Sequence, residues 1–223
     1  MSIATRPTTA IQAEPRVQAP THGRNWYWTV CGLAGSIVLA VAAFLPLWRL
    51  TLTAPQYPEG LQLTAYGSKM EGDLEEINEL NHYIGVRAIE PDTVTELKLF
   101  PFVMAALVLA VAAGAVLLKD WKPRAILSAA VWAIPLGMLV DLQWWLYSYG
   151  HELDKSAPIR TDPFTPHVIG ATRVLNFNSD AGVATGFWLM VAAALLISVA
   201  PFVAKFLWES WNNTGDAQAE ATA

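Results

Sequence analysis

The chain has 223 residues, a formal net charge of −5 and a hydrophobic content of 54%, and it contains ten tryptophans. This apolar fraction and a mean hydropathy of +0.34 exceed what a soluble domain usually shows, so the composition predicts a membrane protein. Nucleic-acid binding is disfavoured because phosphates require excess positive charge. A single cysteine, Cys31, excludes an internal disulfide.

Four apolar segments each offer about the 20 residues that a helix needs to cross the hydrocarbon core. They predict a mostly α membrane fold: four transmembrane helices with a small α+β extracytoplasmic cap built from two long loops. The predicted order is a disordered cytoplasmic leader (1–25), a first span (26–48), a first outer loop with a helix near 70–84 (49–98), a second span (99–118), a cytoplasmic loop (119–124), a third span (125–147), a second outer loop (148–182), a fourth span (183–204) and a cytoplasmic tail (205–223).

The first segment has an alternative interpretation as a cleaved signal peptide, because residues 40–42 read Ala-Val-Ala, the small-x-small pattern of a cleavage site. The leader before it is unusually long, however, and the apolar run continues to Trp48. Tryptophan and tyrosine gather at the ends of the spans, as they do at membrane interfaces. We therefore expect this segment to span.

Basic residues predict the orientation. By the positive-inside rule, loops rich in lysine and arginine face the cytoplasm, so both termini and the loop 119–124 are expected there and the two long loops outside. The leader and the end of the tail lack apolar periodicity and are expected to be unstructured. The basic residues in question are Arg6, Arg16, Arg24, Lys119, Lys122 and Arg124.

The first outer loop is expected to begin with extended chain, because leucine and threonine alternate around Pro55 and Pro58. A helix is predicted to follow, with a glycine, Gly85, as its C-cap. Its apolar face is formed by Leu74, Ile77, Leu80 and Ile84, and its polar face by Glu75, Asn78, Glu79 and His82.

Glu79 and His82, one helical turn apart, allow two interpretations. They are either a solvated pair near a helix C-terminus or two metal ligands. The second outer loop adds His151 and His167, and Met70 offers a thioether suited to copper. If the loops pack together, these side chains meet. The simpler interpretation is that the polar residues of a membrane protein must lie in its loops.

Asp141 is the one charged residue in the four apolar segments. An intramembrane acid usually faces a protein interior or a polar cavity. One interpretation is a hydrogen bond to a neighbouring helix or to interfacial water. The other is a role in handling protons or cations beneath the outer loops.

Six blocks resemble, in order, those of a small family of four-pass bacterial membrane proteins encoded among the accessory genes of nitrous oxide reductase, a periplasmic copper enzyme. Val86 stands where that family has methionine, and His167 where it commonly has proline. His82 and His151 match, so they become the preferred metal pair. The blocks are "PQYPEG", "LNHYIG", "IEP", "YGHELD", "PFTPHVIG" and "VLNF".

The resemblance implies a non-enzymatic accessory protein of the bacterial inner membrane that aids copper loading of, or electron delivery to, a periplasmic reductase. Copper is the candidate ion, and the expected partners are the lipid bilayer and a periplasmic or integral-membrane protein. The alternative is a structural subunit of a larger respiratory or oxidase-type complex. The sequence shows no nucleophile beside a base, no phosphate loop and no CxxCH haem motif, so an enzyme is not expected.

Overall fold

The computed structural model describes residues 26–221, with side chains to residue 211, so the predicted leader lies outside the described residues. This part of the chain forms six α-helices and five strands. In order they are α1 (Trp26–Ala42), β1 (Trp48–Ala54), β2 (Tyr57–Ala65), β3 (Met70–Gly72), α2 (Leu74–Ile84), α3 (Thr95–Leu117), α4 (Trp121–His151), β4 (Gly170–Val174), β5 (Phe177–Val183), α5 (Thr185–Ser198) and α6 (Ala200–Ala221), with a short 3-10 turn at Pro91–Thr93.

Helices α1, α3, α4 and α5 form a bundle in which α1 and α4 each pack against both α3 and α5. Leu39, Met104, Val131 and Met190 are fully buried at its centre. Small residues allow α1 to approach its neighbours closely: a Cβ on Gly32 would lie 2.6 Å from the Cβ of Ala115. Such close backbone approach is typical of helices that associate within lipid.

Two helices, α3 and α4, are long and apolar enough to cross a membrane, and α5 with α6 to Trp211 makes a third if this bent pair is one span. The helix α1 is apolar but has 17 residues, about 26 Å at 1.5 Å per residue, which is short of a 30 Å hydrocarbon core. The helix therefore ends at Ala42, six residues before the end of the predicted span 26–48, and Trp48 begins β1. The apolar helices support contact with a bilayer, while four crossings remain a prediction.

The axes of α5 and α6 differ by 47°. Pro201 explains the break, because it lacks the N–H that would bond to the carbonyl of the preceding turn and its ring clashes with that carbonyl. Beyond the break, α6 continues to Ala221. The prediction of an unstructured end to the tail is thus wrong for 212–221, where alanine, glutamine and glutamate favour helix.

Both long connections contribute to a single antiparallel sheet with the strand order β3-β2-β1-β5-β4. The first connection supplies β1 to β3, and the second supplies β4 and β5. Their junction is the pairing of β1 with β5, in which Leu50 lies opposite Ala181. The small sheet cap predicted by the sequence is therefore present, and the extended chain expected around Pro55 and Pro58 forms the hairpin β1–β2.

The sheet has one apolar face and one polar face, as period-2 alternation requires. Along β1, Trp48, Leu50 and Leu52 point to the apolar face, where α2 and the second half of α4 pack. The 31 residues of α4 measure about 46 Å, well beyond a 30 Å hydrocarbon core. One helix thus joins the bundle to the cap, and it is longer than the predicted span 125–147.

Candidate functional site

A polar cleft of about 530 Å³ lies where the end of α2 meets the chain that follows α4. Its walls are His82, residues 85–88 and most of 152–158. Two backbone hydrogen bonds join these segments: Asp154 N–H donates to the Gly85 carbonyl oxygen (2.8 Å), and Ile159 N–H donates to that of Tyr83 (3.0 Å). The predicted proximity of the two long loops is therefore found at this cleft.

The position of His82 follows from how α2 folds. Ile77, Leu80 and Ile84 are buried, the first two against the sheet, so His82 is exposed on the opposite side, as the helical periodicity predicts. Gly85 ends the helix with φ +78°, which confirms the predicted C-cap. A Cβ at Gly85 would lie 2.7 Å from the Asp154 carbonyl oxygen, so only glycine lets the second segment approach this closely.

Asp154 is the acidic neighbour of His82 in the cleft. Its carboxylate accepts hydrogen bonds from the backbone N–H (2.8 Å) and the hydroxyl (2.7 Å) of Ser156. These two bonds lower the pKa of the Asp154 carboxyl group, and the nearby His82 lowers it further. The cleft therefore holds an ionised acid beside an imidazole at neutral pH.

His151 is the last residue of α4, and its ring stacks on Tyr147 with the centroids 3.9 Å apart. Its Nδ1 lies 2.9 Å from the Tyr147 carbonyl oxygen, a contact in which the imidazole N–H donates. The nitrogen left to bind an ion is then Nε2. The segment carrying His151 is tied to the segment carrying His82, although His151 itself is not part of the cleft wall.

The other candidate ligands lie in different places. Glu79 is exposed on α2, and His167 contacts the Thr172 hydroxyl through Nδ1 at 2.9 Å. Met70 and His167 line a separate cavity. Among residues 26–211, whose side chains the structure describes, no group of three or more His, Cys, Asp or Glu side chains is arranged to hold a metal ion. Copper bound by His82 and His151 would thus need further ligands of another type or from a partner.

Arg87 was not singled out by the sequence, yet it connects the two segments of the cleft. Its guanidinium lies 4.8 Å from the ring centroid of Tyr149 and 5.7 Å from that of Trp145, both on α4. It also reaches a carboxylate oxygen of Glu152 at 3.5 Å. Trp145 and Tyr149 at helical i,i+4 spacing are a visible sequence signal for a paired aromatic surface, but no local pattern assigns Arg87 to it.

A second, apolar cavity of about 460 Å³ lies between the apolar face of the sheet, α2, the start of α3 and the second half of α4. Asp141 lies on its wall, half-buried and close enough to Glu96 for electrostatic interaction. Asp141 is 20 residues from the start of α4, a rise of about 30 Å. It therefore lies at the height where a span that begins at Trp121 would leave the hydrocarbon core.

Within residues 26–221, the helices and the cap define a class of protein: an apolar helical bundle with two or three membrane-compatible spans that carries an antiparallel sheet at one end. No family model matches the chain, and no curated protein matches it. The resemblance to the nitrous oxide reductase accessory proteins, which rests on the six quoted blocks, remains a prediction.

Proposed function

We propose that this chain is a non-enzymatic accessory protein of the bacterial inner membrane whose sheet cap serves a periplasmic copper reductase, aiding its copper loading or electron delivery. The pairing of β1 with β5 carries the proposal, because it unites the two long connections, with His82 and His151, at one end of an apolar bundle. The choice of a copper reductase as the partner rests on the resemblance of the six blocks.

The proposed topology has four crossings, with both termini in the cytoplasm and the cap in the periplasm. The charges of Lys119, Lys122 and Arg124 support it, since they lie at the start of α4, whereas the sheet packs against the other half of that helix. An impermeant maleimide applied to intact cells tests it on single cysteines introduced by Asp92→Cys, Arg173→Cys and Lys122→Cys in a Cys31→Ser background. Asp92→Cys and Arg173→Cys should react, and Lys122→Cys should not. If only Lys122→Cys were labelled, the protein would have the opposite orientation.

His82 and His151 are the proposed copper ligands in the cap. Imidazole suits copper, and the hydrogen bonds between residues 83–85 and 154–159 hold the two segments that carry these histidines together. An incomplete set of protein ligands fits an accessory protein that passes its ion to a partner, which would supply the remaining ligands.

Copper titration of the purified full chain tests this ligand pair in wild type, His82→Ala and His151→Ala. A matched control is His167→Ala, because His167 is exposed in the second connection but contacts Thr172 outside the cleft. The proposal is supported if wild type and His167→Ala bind stoichiometric copper and His82→Ala and His151→Ala do not. Absence of stoichiometric copper in wild type removes the ligand assignment.

The second candidate, a structural subunit of a respiratory or oxidase-type complex, is favoured by the exposed aromatic rings of Trp121, Trp208 and Trp211. Such rings suit contact with neighbouring membrane proteins as well as with lipid. Purification in mild detergent separates the candidates. Stable co-purification with an integral-membrane enzyme, together with the absence of bound copper, favours the structural role.

A further inference from the structure

The apolar cavity plays no part in the copper proposal, and its size is that of a ligand site. Its volume of about 460 Å³ falls within the range of roughly 300–1,000 Å³ that is typical of small-molecule sites. Most of its wall is apolar, with a few polar groups at defined positions, as in such sites. The apolar lining includes Leu50, Leu63, Leu80, Phe100, Met138, Leu142 and Trp145.

Part of the cavity wall is formed by α3 and α4, the helices that are long enough to cross a membrane. Phe100 of α3 and Gly137 of α4 lie on its wall. Close by on the same helices, Phe102 and Val140 are 74% and 72% exposed, as side chains in contact with lipid are. Because part of the cavity wall belongs to membrane-compatible helices, the lipid phase is the candidate source of a ligand for it.

The charges on the cavity wall indicate which kind of head group such a molecule would carry. Asp141 and Glu96 both line the cavity, and among the described residues its wall includes one histidine, His167, but no lysine or arginine. Within residues 26–211, Asp141 has no hydrogen-bond or ion-pair partner. Asp141 is half-buried and Glu96 is exposed, and carboxylates at such positions attract cations and hydrogen-bond donors and repel anions.

We propose that the apolar cavity binds a single-chain amphiphile from the membrane, whose head group donates hydrogen bonds and carries no negative charge. The chain packs against Met138, Leu142 and the apolar face of the sheet, and Asp141 and Glu96 bind the head group. The volume suits one chain rather than a complete two-chain phospholipid, and the two carboxylates, with no lysine or arginine among the described lining residues, argue against a phosphate or carboxylate head group.

Three photoreactive probes with one chain and different head groups test the proposal: diazirine analogues of dodecylamine, dodecanol and dodecanoate. The full chain is held in phosphatidylcholine nanodiscs, and the cross-links are mapped by mass spectrometry. We expect the amine and the alcohol to label residues 133–149 of α4 roughly tenfold more than dodecanoate does. Equal labelling by dodecanoate would overturn the proposal.

Two variants separate a specific site from general contact with lipid. Gly137→Leu fills the cavity; a Cβ there meets no atom within 4 Å, and leucine favours helix more than glycine, so folding is preserved. Labelling by the amine should fall in Gly137→Leu but not in the matched control Val140→Leu, which adds volume on an exposed part of the same helix. Unchanged labelling of Gly137→Leu would contradict the proposal.

Asp141→Asn tests the head-group preference. The neutral amide should bring labelling by dodecanoate towards that of the amine, while labelling by the alcohol changes little. A preference that survives this substitution unchanged would show that Asp141 does not bind the head group. The result is independent of copper binding, because His82 and His151 do not line this cavity.

Discussion

The indole Nε1–H of Trp48 donates a hydrogen bond to the carbonyl oxygen of Val168 over 2.7 Å, across 120 residues of sequence. Trp48 begins β1 in the first long connection, and Val168 lies just before β4 in the second. Both residues are buried. This bond therefore joins the two connections in a place where water cannot replace either partner.

Trp48→Phe should destabilise the cap while keeping most of its packing. Phenylalanine cannot donate the hydrogen bond, so the buried Val168 carbonyl loses its indole partner, at a cost of about 1–3 kcal/mol. Hydrogen exchange of the β1 and β5 amides, followed by mass spectrometry, should show faster opening. Trp188→Phe is the control, since Trp188 is 60% exposed, and its exchange should match wild type.

Gly85→Ala should separate the two segments of the polar cleft. Alanine in the left-handed region costs about 1–2 kcal/mol, and its Cβ would approach the Asp154 carbonyl oxygen to 2.7 Å. Exchange at residues 152–159 should increase and thermal stability should fall. Gly182→Ala provides the comparison, because a Cβ there meets no atom within 4 Å; equal effects of the two substitutions would contradict the role assigned to Gly85.

Arg87→Ala should loosen the chain after α4 without unfolding the bundle. The guanidinium lies over the rings of Tyr149 and Trp145, and an exposed contact of this type contributes about 0.5–1 kcal/mol. Arg87→Lys should restore only part of the protection from exchange at 152–159, because an ammonium does not stack. Arg173→Ala, which removes an exposed arginine remote from these rings, should leave exchange at 152–159 unchanged.

Asp154 should make the turn at 154–157 sensitive to acid. Its folded pKa lies below the unfolded value because Ser156 donates two hydrogen bonds to the carboxylate and His82 is nearby. The stabilisation is therefore fully present above the ordinary aspartate pKa, about 3.9, and is lost as the pH falls through the lowered value.

Ser156→Ala removes the hydroxyl donor but keeps the backbone N–H, so the pKa of Asp154 should rise part of the way to its ordinary value. A ¹³C NMR titration of the aspartate carboxyl carbons measures this change. Ser148→Ala is the control, because the Ser148 hydroxyl donates to Glu152 instead. If the pKa of Asp154 were the same in Ser156→Ala and wild type, the hydrogen bond from the Ser156 hydroxyl would not stabilise the ionised carboxylate.

The sequence predicts α2 well, except that residues 70–72 of the predicted helix form β3, because the signals of α2 are local. Three- and four-residue spacing places Ile77, Leu80 and Ile84 on one buried face, and a glycine that adopts φ +78° ends the helix. The extended chain at the start of the first outer loop is predicted for the same reason, since leucine and threonine alternate within a few residues, although its pairing into the hairpin β1–β2 was not predicted. Each pattern is complete inside one short stretch of chain.

The sequence does not predict the strands β4 and β5, because β5 pairs with β1, which is far away in the sequence, and β4 pairs with β5. Residues 177–183 are rich in polar side chains, and they form a strand by pairing with β1, about 130 positions earlier. The amide of Asn78 is a similar case: it exchanges two hydrogen bonds with the backbone of Ile89, although the sequence places it on a solvated face. Neither contact follows from local periodicity.

The strand order also has a consequence for biogenesis. Because β1 lies between β2 and β5, it leaves the ribosome long before its second neighbour, with α3 and α4 translated in between. Until β5 is made, one edge of β1 has unpaired backbone groups, which invite pairing with other chains. The cap closes only near the end of synthesis, so a nascent chain stalled after α4 exposes that open edge to the cell's quality-control proteases.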